Sequence, residues 1–137
     1  MEKYIYFLVL ILLSASILML FTSCNAADQI CLDKNTSCFS DFEVKGDKVF
    51  IKCRITLINK FDVEKSITLS AQLPEDVTIG LLQSSEIKAL NEDGSERVFV
   101  LAPNEATSFE VVFIGEYAGT NQKYDRNLPE INIKIIK

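Results

Sequence analysis

Apolar and polar residues alternate along most of the chain after residue 38, and this pattern predicts β-strands. In the segment KVFIKCRITLIN, residues 48–59, apolar side chains recur at every second position. A period of two places one face of a strand in a core and the other in solvent. KSITLSAQL and EINIKIIK repeat the pattern, and RVFVLA and SFEVVFIG are rich in β-branched and aromatic residues. The sequence therefore predicts an all-β domain.

Short polar segments separate the predicted strands. NKFDVE, LPEDVT, NEDGSE and LAPNEATS contain turn-forming residues and recur about every 8–12 positions, a spacing typical of a β-sandwich. The segment GLLQSSEIKAL fits one or two helical turns or two short strands equally well. For Asn91–Glu96 we predict a hairpin turn with Gly94 at a positive φ. Its oxygen-bearing side chains also suggest a Ca²⁺ loop, but the full ligand spacing of such a loop is missing.

Two strand–turn–strand segments resemble the broad class of bacterial immunoglobulin-like domains. They are ITLINKFDVEKSITLSAQL, a long hairpin around a polar turn, and VFVLAPNEATSFEVVF, in which an apolar strand enters a Pro-Asn-Glu turn and returns as an alternating strand. The resemblance implies an immunoglobulin-like antiparallel β-sandwich of about seven strands over residues 39–137. Tryptophan is absent, so the Cys–Trp–Cys core of antibody domains is missing. A fold of this kind implies little about function.

The first 23 residues have the layout of an export signal. Residues 4–21 carry no charge, Glu2 and Lys3 precede them, and small residues follow. At about 1.5 Å per residue, the apolar run would extend roughly 27 Å as a helix, close to the hydrocarbon thickness of a bilayer. We therefore expect a hydrophobic helix over residues 1–23 that is either a cleaved signal peptide or an uncleaved membrane anchor.

Cys24 directly follows this apolar segment. Residues 21–24, FTSC, resemble the lipobox of bacterial lipoproteins, in which an apolar residue and two small residues precede a cysteine. The resemblance implies lipid attachment at Cys24, cleavage before it, and a tether over residues 24–38. Phe21 stands where that family most often has leucine. The alternatives are cleavage after one of the alanines at 26 and 27, an uncleaved anchor, or a disulfide at Cys24.

Lipid attachment would leave three cysteines, Cys31, Cys38 and Cys53. Export favours a disulfide, and we predict one between Cys38 and Cys53, because a two-residue turn at Lys45-Gly46 would place them opposite each other. With a turn at Gly46-Asp47, Cys53 would lie opposite Ser40 instead. Disulfides from Cys31 to either cysteine, and a free buried Cys53, remain alternatives.

Charge and composition restrict the function classes. The net charge is −5, and removing residues 1–23 leaves it unchanged because one acid and one base are lost together. An acidic domain argues against nucleic-acid binding and against a polybasic lipid-surface binder. The chain has no histidine, no CxxC pair and no recognisable catalytic motif. We therefore expect no enzymatic activity, no cofactor and no metal site.

The segment GEYAGTNQKYDRNLP, residues 115–129, is the strongest candidate for a binding loop. Tyrosine, arginine and asparagine are favoured at protein interfaces because they bury area with few rotatable bonds and keep polar tips. A structural alternative is a local ion pair between Asp125 and Arg126, with Tyr124 covering the edge of the core. The predicted partner contacts are Tyr117, Lys123, Tyr124, Arg126 and Asn127.

These features together predict an exported, membrane-tethered, non-catalytic domain that acts as a binding or spacer module at the bacterial cell surface. Its predicted contacts are the membrane, through the N-terminal lipid or anchor, and a protein partner. One alternative is a structural subunit of an envelope or mobile-element-encoded assembly, whose partner would pair with an exposed sheet edge. Another is a Ca²⁺-dependent ligand binder that uses Asn91–Glu96.

Overall fold

The computed structural model describes residues 29–120 and 125–137. Within these ranges the chain forms eight strands and one short helix, which confirms the all-β prediction. The expected N-terminal helix, residues 1–23, lies outside the described residues. The elements are β1 (Ile30–Leu32), β2 (Cys38–Lys45), β3 (Lys48–Asn59), β4 (Lys65–Gln72), α1 (Pro74–Thr78), β5 (Glu86–Ala89), β6 (Phe99–Leu101), β7 (Ala106–Glu116) and β8 (Glu130–Ile135).

All strand pairs are antiparallel, and two long strands organise the sheet. β3 pairs with β7 along one side and with β1 and β2 along the other. β4 pairs with β8 along one side and with β5 and β6 along the other. A short pairing between β5 and β7 joins the two groups into one continuous sheet. Buried residues from both groups form a single hydrophobic cluster, so the sheet folds around one core.

The alternation in β3 produces the largest contribution to this core. Its inward face consists of residues that are each at most 1% exposed. Burying an aliphatic side chain of this size stabilises the fold by about 1.5–3 kcal/mol, so this strand is a principal source of stability. Because every residue of this inward face is buried, the apolar face predicted from the alternation is confirmed. The residues of that face are Val49, Ile51, Cys53, Ile55 and Leu57.

β1 lies within residues 24–38, which the sequence assigns to the tether. Ile30, Cys31 and Leu32 are all buried, and they pair with the end of β3. The side chains of Ile30 and Leu32 belong to the core cluster, and the backbone of Lys60 donates a 2.7 Å hydrogen bond to the carbonyl of Gln29. The sandwich therefore includes residues before the predicted boundary at position 39.

The β2–β3 hairpin turns at Gly46-Asp47, with Lys45 paired to Lys48 and Gly46 at a φ of +58°. A simple continuation of this register would place Ser40 opposite Cys53, as the second of the two predicted turns requires. The register shifts at Ser40, between Phe39 and Asp41. Such a bulge inserts one unpaired residue and changes every pairing beyond it.

The bulge separates the two cysteines that we predicted to be bonded. Cys53 pairs with Phe39, and Cys38 pairs with Arg54. Cys38 is exposed while Cys53 is buried, and both are free thiols, so neither is bonded to the other or to Cys31. A shift of one residue moves a side chain to the opposite face of a sheet. The predicted Cys38–Cys53 disulfide is therefore not present in the structure.

The connections between strands differ from the predictions in one place and agree in another. LPEDVT, predicted as a turn, contains α1, which begins at a proline and buries Asp76 completely. Asn91–Glu96 forms the predicted turn: Leu90 bridges to Glu96, and Gly94 has a φ of +85°. No helix within residues 29–120 and 125–137 is long and apolar enough to cross a membrane.

Candidate interaction site at the β8 edge

The side chain of Arg126, a predicted partner contact, is buried in the connection between β7 and β8. Its Nη1 atom lies 2.7 Å from each carboxylate oxygen of Asp76 in α1, and the two side chains are 4% and 1% exposed. Its guanidinium also lies over the ring of Phe42, 4.6 Å from the centroid. This placement matches neither predicted role, which were an exposed contact and a local pair with Asp125. Arg126 instead connects the β7–β8 loop to α1 through Asp76.

The other predicted contacts do not form one exposed patch among the described residues. Tyr117 is half-buried, packs against the core and bridges to Leu82. Asn127 is exposed. Lys123 and Tyr124 lie outside the described residues, so their contact role stays a prediction. The predicted contacts that the structure describes therefore do not define a single interaction surface.

A cleft of about 690 Å³ lies between β1 and β8. Ile30 and Leu32 line it from β1, and residues 127–133 line it from the start of β8 and the preceding loop. A second cleft, of about 300 Å³, lies on the other side of the same loop, beside Asp76 and Arg126. The larger cleft marks the opening between the strand that ends the β3 group and the strand that ends the β4 group.

β8 borders this cleft as an edge strand. Within residues 29–120 and 125–137, its only strand partner is β4. The N–H of Ile136 donates to the carbonyl of Ser66 at 2.9 Å, which fixes the alternation of backbone groups along β8. The N–H and C=O groups of Ile131, Ile133 and Ile135 therefore point away from β4. An edge with such groups is a template for pairing with another strand.

The two faces of β8 differ in chemistry. Ile131 and Ile133 are half-buried: they pack against the core and line the cleft. Glu130, Asn132 and Lys134 are exposed on the outer face. Neither Glu130 nor Lys134 has an ion-pair partner among the described residues. The edge thus combines incompletely covered apolar side chains with two opposite charges that are not paired by any residue in the described part of the chain.

Two titratable groups, Cys53 and Asp93, have shifted pKa values with structural causes. Burial raises the pKa of the Cys53 thiol to about 12, with a smaller contribution from nearby Cys38, so this thiol stays protonated at neutral pH. Asp93 in the Asn91–Glu96 turn accepts hydrogen bonds from the hydroxyl and the backbone N–H of Ser95, which lower its pKa. Within residues 29–120 and 125–137, no three His, Cys, Asp or Glu side chains are grouped to hold a metal ion.

The sequence predicts the strand β8 but does not indicate that this strand is a candidate interaction edge. EINIK carries a visible signal, because an acid and a base lie four residues apart on the polar face of an alternating strand. The missing information was the position of that strand in the sheet. Comparison of the chain with family models, with curated proteins and with solved structures finds no match in any of the three.

Proposed function

We propose that the protein is an exported, membrane-tethered, non-catalytic module that binds a protein partner at the bacterial cell surface by strand addition to β8. The observation that carries the binding role is the side of β8 that faces away from β4 and borders the cleft. The lipobox-like segment at residues 21–24 supports the location and the tether.

Strand addition suits this edge for two physical reasons. An added strand would supply hydrogen-bond partners to the outward backbone groups of Ile131 and Ile133, which have none among the described residues. Its side chains would also cover the apolar surface that these isoleucines leave open, at about 25 cal/mol for each Å² removed from water. A module that served only as a spacer would gain nothing from either property.

The tether is tested by intact-mass analysis of the membrane-extracted protein. We expect a chain that begins at Cys24 and carries the added mass of acyl groups. Cys24→Ser should abolish lipid attachment and either release the protein or stop its processing. Cys38→Ser, which removes an exposed thiol within the folded domain, is the control variant and should be processed normally. An unmodified wild-type chain at full precursor mass would instead identify an uncleaved anchor.

The binding edge is tested by placing a photo-crosslinking amino acid at position 132 of the full-length protein in its native cells. The matched control is position 88, because Lys88 is also exposed but lies on β5, which has neighbouring strands on both sides. We expect a discrete adduct from position 132 and none from position 88. Correctly localised protein that gives no adduct at position 132 would refute the proposed binding edge.

A further inference from the structure

We infer that the strand added to β8 is the β8 of a second copy of this chain, paired antiparallel about a two-fold axis at Asn132. This inference rests on the proposed role of β8 as the binding edge and names the partner of that edge. Closed two-fold assemblies bury the same patch on both subunits, so a patch must be complementary to itself to form one. The sequence of β8 has this property.

The first line of support is charge. In an antiparallel pairing centred on Asn132, the residue two positions before the centre faces the residue two positions after it. Glu130 of each copy therefore faces Lys134 of the other, and the two-fold axis creates this pair twice. Both side chains are exposed and have no ion-pair partner among the described residues. Opposite charges directly across two strands stabilise the pairing.

The second line of support is the backbone. The groups of Ile131 and Ile133 point away from β4, as the hydrogen bond from Ile136 to Ser66 establishes. In the register centred on Asn132, Ile131 of one copy lies opposite Ile133 of the other, so these outward groups bond to each other. Residues 130, 132 and 134 then occupy the non-hydrogen-bonded positions, where side chains approach more closely. The charged pairs thus fall at the positions where they interact best.

The third line of support is the inner face. The same register brings Ile131 of each copy beside Ile133 of the other, on the face that packs against the core. These half-buried side chains would cover one another and extend both cores across the axis. The apolar face and the charged face of β8 therefore favour the same register, the one centred on Asn132.

Neighbouring registers lack this complementarity. A two-fold axis at position 130 places Glu130 opposite itself, and an axis at position 134 places Lys134 opposite itself. Axes at 131 and 133 place Glu130 opposite Asn132 or Ile136, and both leave the charges unpaired. A parallel pairing in register puts like charges together along the whole strand. Like charges opposite each other destabilise strand pairing, so the sequence selects one register.

A charge-exchange series on the full-length protein in nonionic detergent tests the inference. Glu130→Lys and Lys134→Glu each create two like-charge contacts per dimer, and we expect either to raise the dissociation constant about tenfold in sedimentation equilibrium. An equimolar mixture of the two variants, and the double variant Glu130→Lys/Lys134→Glu, should both recover the wild-type value because each restores two opposite-charge pairs. At protein concentrations low enough for every variant to be monomeric, melting temperatures should stay unchanged, since both side chains are exposed.

Cysteine crosslinking tests the register itself. In the predicted dimer the two Asn132 residues face each other at a Cα separation of about 4.5 Å, within disulfide range. Asn132→Cys in a Cys38→Ser background should form a disulfide-linked dimer on mild oxidation, and Lys88→Cys in the same background should not. Identical association by all charge variants, or no disulfide at position 132, would overturn the self-pairing.

The photo-crosslink at position 132 separates this inference from the proposed function. An adduct at twice the mass of the chain supports self-pairing. An adduct with a different protein overturns self-pairing but leaves β8 as the binding edge. The absence of any adduct refutes both.

Discussion

The buried ion pair between Asp76 and Arg126 is the contact whose loss we expect to destabilise the domain most. The two residues belong to α1 and to the β7–β8 connection, and their side chains are 1% and 4% exposed. One guanidinium nitrogen lies 2.7 Å from both carboxylate oxygens. Removing one partner of a buried pair costs about 3–5 kcal/mol, because the other charge stays buried and loses that compensation. A whole domain is stable by about 5–15 kcal/mol, so this loss is large.

Two substitutions isolate the charges from the packing. Asp76→Asn removes the negative charge at nearly constant volume, and Arg126→Met removes the positive charge but keeps an apolar stem beside Phe42. We expect each to lower the free energy of unfolding by about 3–5 kcal/mol. The double variant should lose less than the sum of the two, because both single variants remove the same Asp76–Arg126 contact.

Urea unfolding of the full-length protein in nonionic detergent, followed by far-ultraviolet circular dichroism, provides the measurement. Lys88→Met is the matched control: Lys88 pairs with Glu96 at 3.2 Å, but the two side chains are 60% and 39% exposed. An exposed pair of this kind contributes less than about 1 kcal/mol. If Asp76→Asn is no more destabilising than Lys88→Met, burial does not govern the strength of this pair and the reasoning is refuted.

Three further predictions concern the core. Burial raises the pKa of Cys53 from 9.0 to about 12, so the unfolded chain loses this proton at a lower pH than the folded chain. The free energy of unfolding should therefore fall between pH 9 and 12, by at most about 1.4 kcal/mol per pH unit. Cys53→Ala should flatten this slope in urea titrations. Gly115→Ala would place a Cβ atom 2.6 Å from Cγ2 of Ile87 and should lower the free energy of unfolding by about 1–3 kcal/mol. Gly94→Ala is its control: no atom lies within 4 Å of the added Cβ, so this variant measures the backbone cost of a positive φ alone. Asn59 is fully buried and its amide lies 3.1–3.2 Å from three backbone carbonyls, so Asn59→Ala should cost about 2–3 kcal/mol in the same assay and a loss below 1 kcal/mol would contradict this role.

Local periodicity was sufficient to predict the long strands. The alternation in β3 depends only on neighbouring residues, and the structure places its apolar face in the core. The pairing of strands distant in sequence depends on the whole chain. β8 pairs with β4, more than 50 positions earlier, and nothing within either segment specifies this neighbour. The edge position of β8 could therefore not be predicted from its own sequence.

The register of β2 against β3 shows a second limit. Side-chain alternation cannot distinguish two registers that differ by two residues, because both keep the same faces inward. The bulge at Ser40 adds a shift of one residue, which reverses the faces and moves Cys38 to the exposed side. No feature of the alternating pattern marks this position. The disulfide prediction failed because it depended on an uninterrupted ladder.

The partner of Arg126 illustrates the same limit for side chains. The sequence offered Asp125 as the nearest acid, but the structure pairs Arg126 with Asp76, 50 positions earlier. LPEDVT was predicted as a turn, and no partner was predicted for Asp76. Only the packing of α1 against the β7–β8 connection brings the two charges together. Long-range ion pairs of this kind require the tertiary structure.

An exposed edge strand that carries apolar residues is normally a site of indiscriminate pairing, and natural proteins commonly place lysine there to prevent it. Lys134 alone would act in this way, because most partner strands offer it no opposite charge. Glu130, four residues earlier, changes the outcome for one partner only, since a second β8 in antiparallel register supplies an acid to each lysine. The same two charges that discourage other registers thus permit this one. If Cys24 tethers the chain to a membrane, confinement raises the effective concentration of the second copy, so a weak edge contact becomes sufficient for pairing.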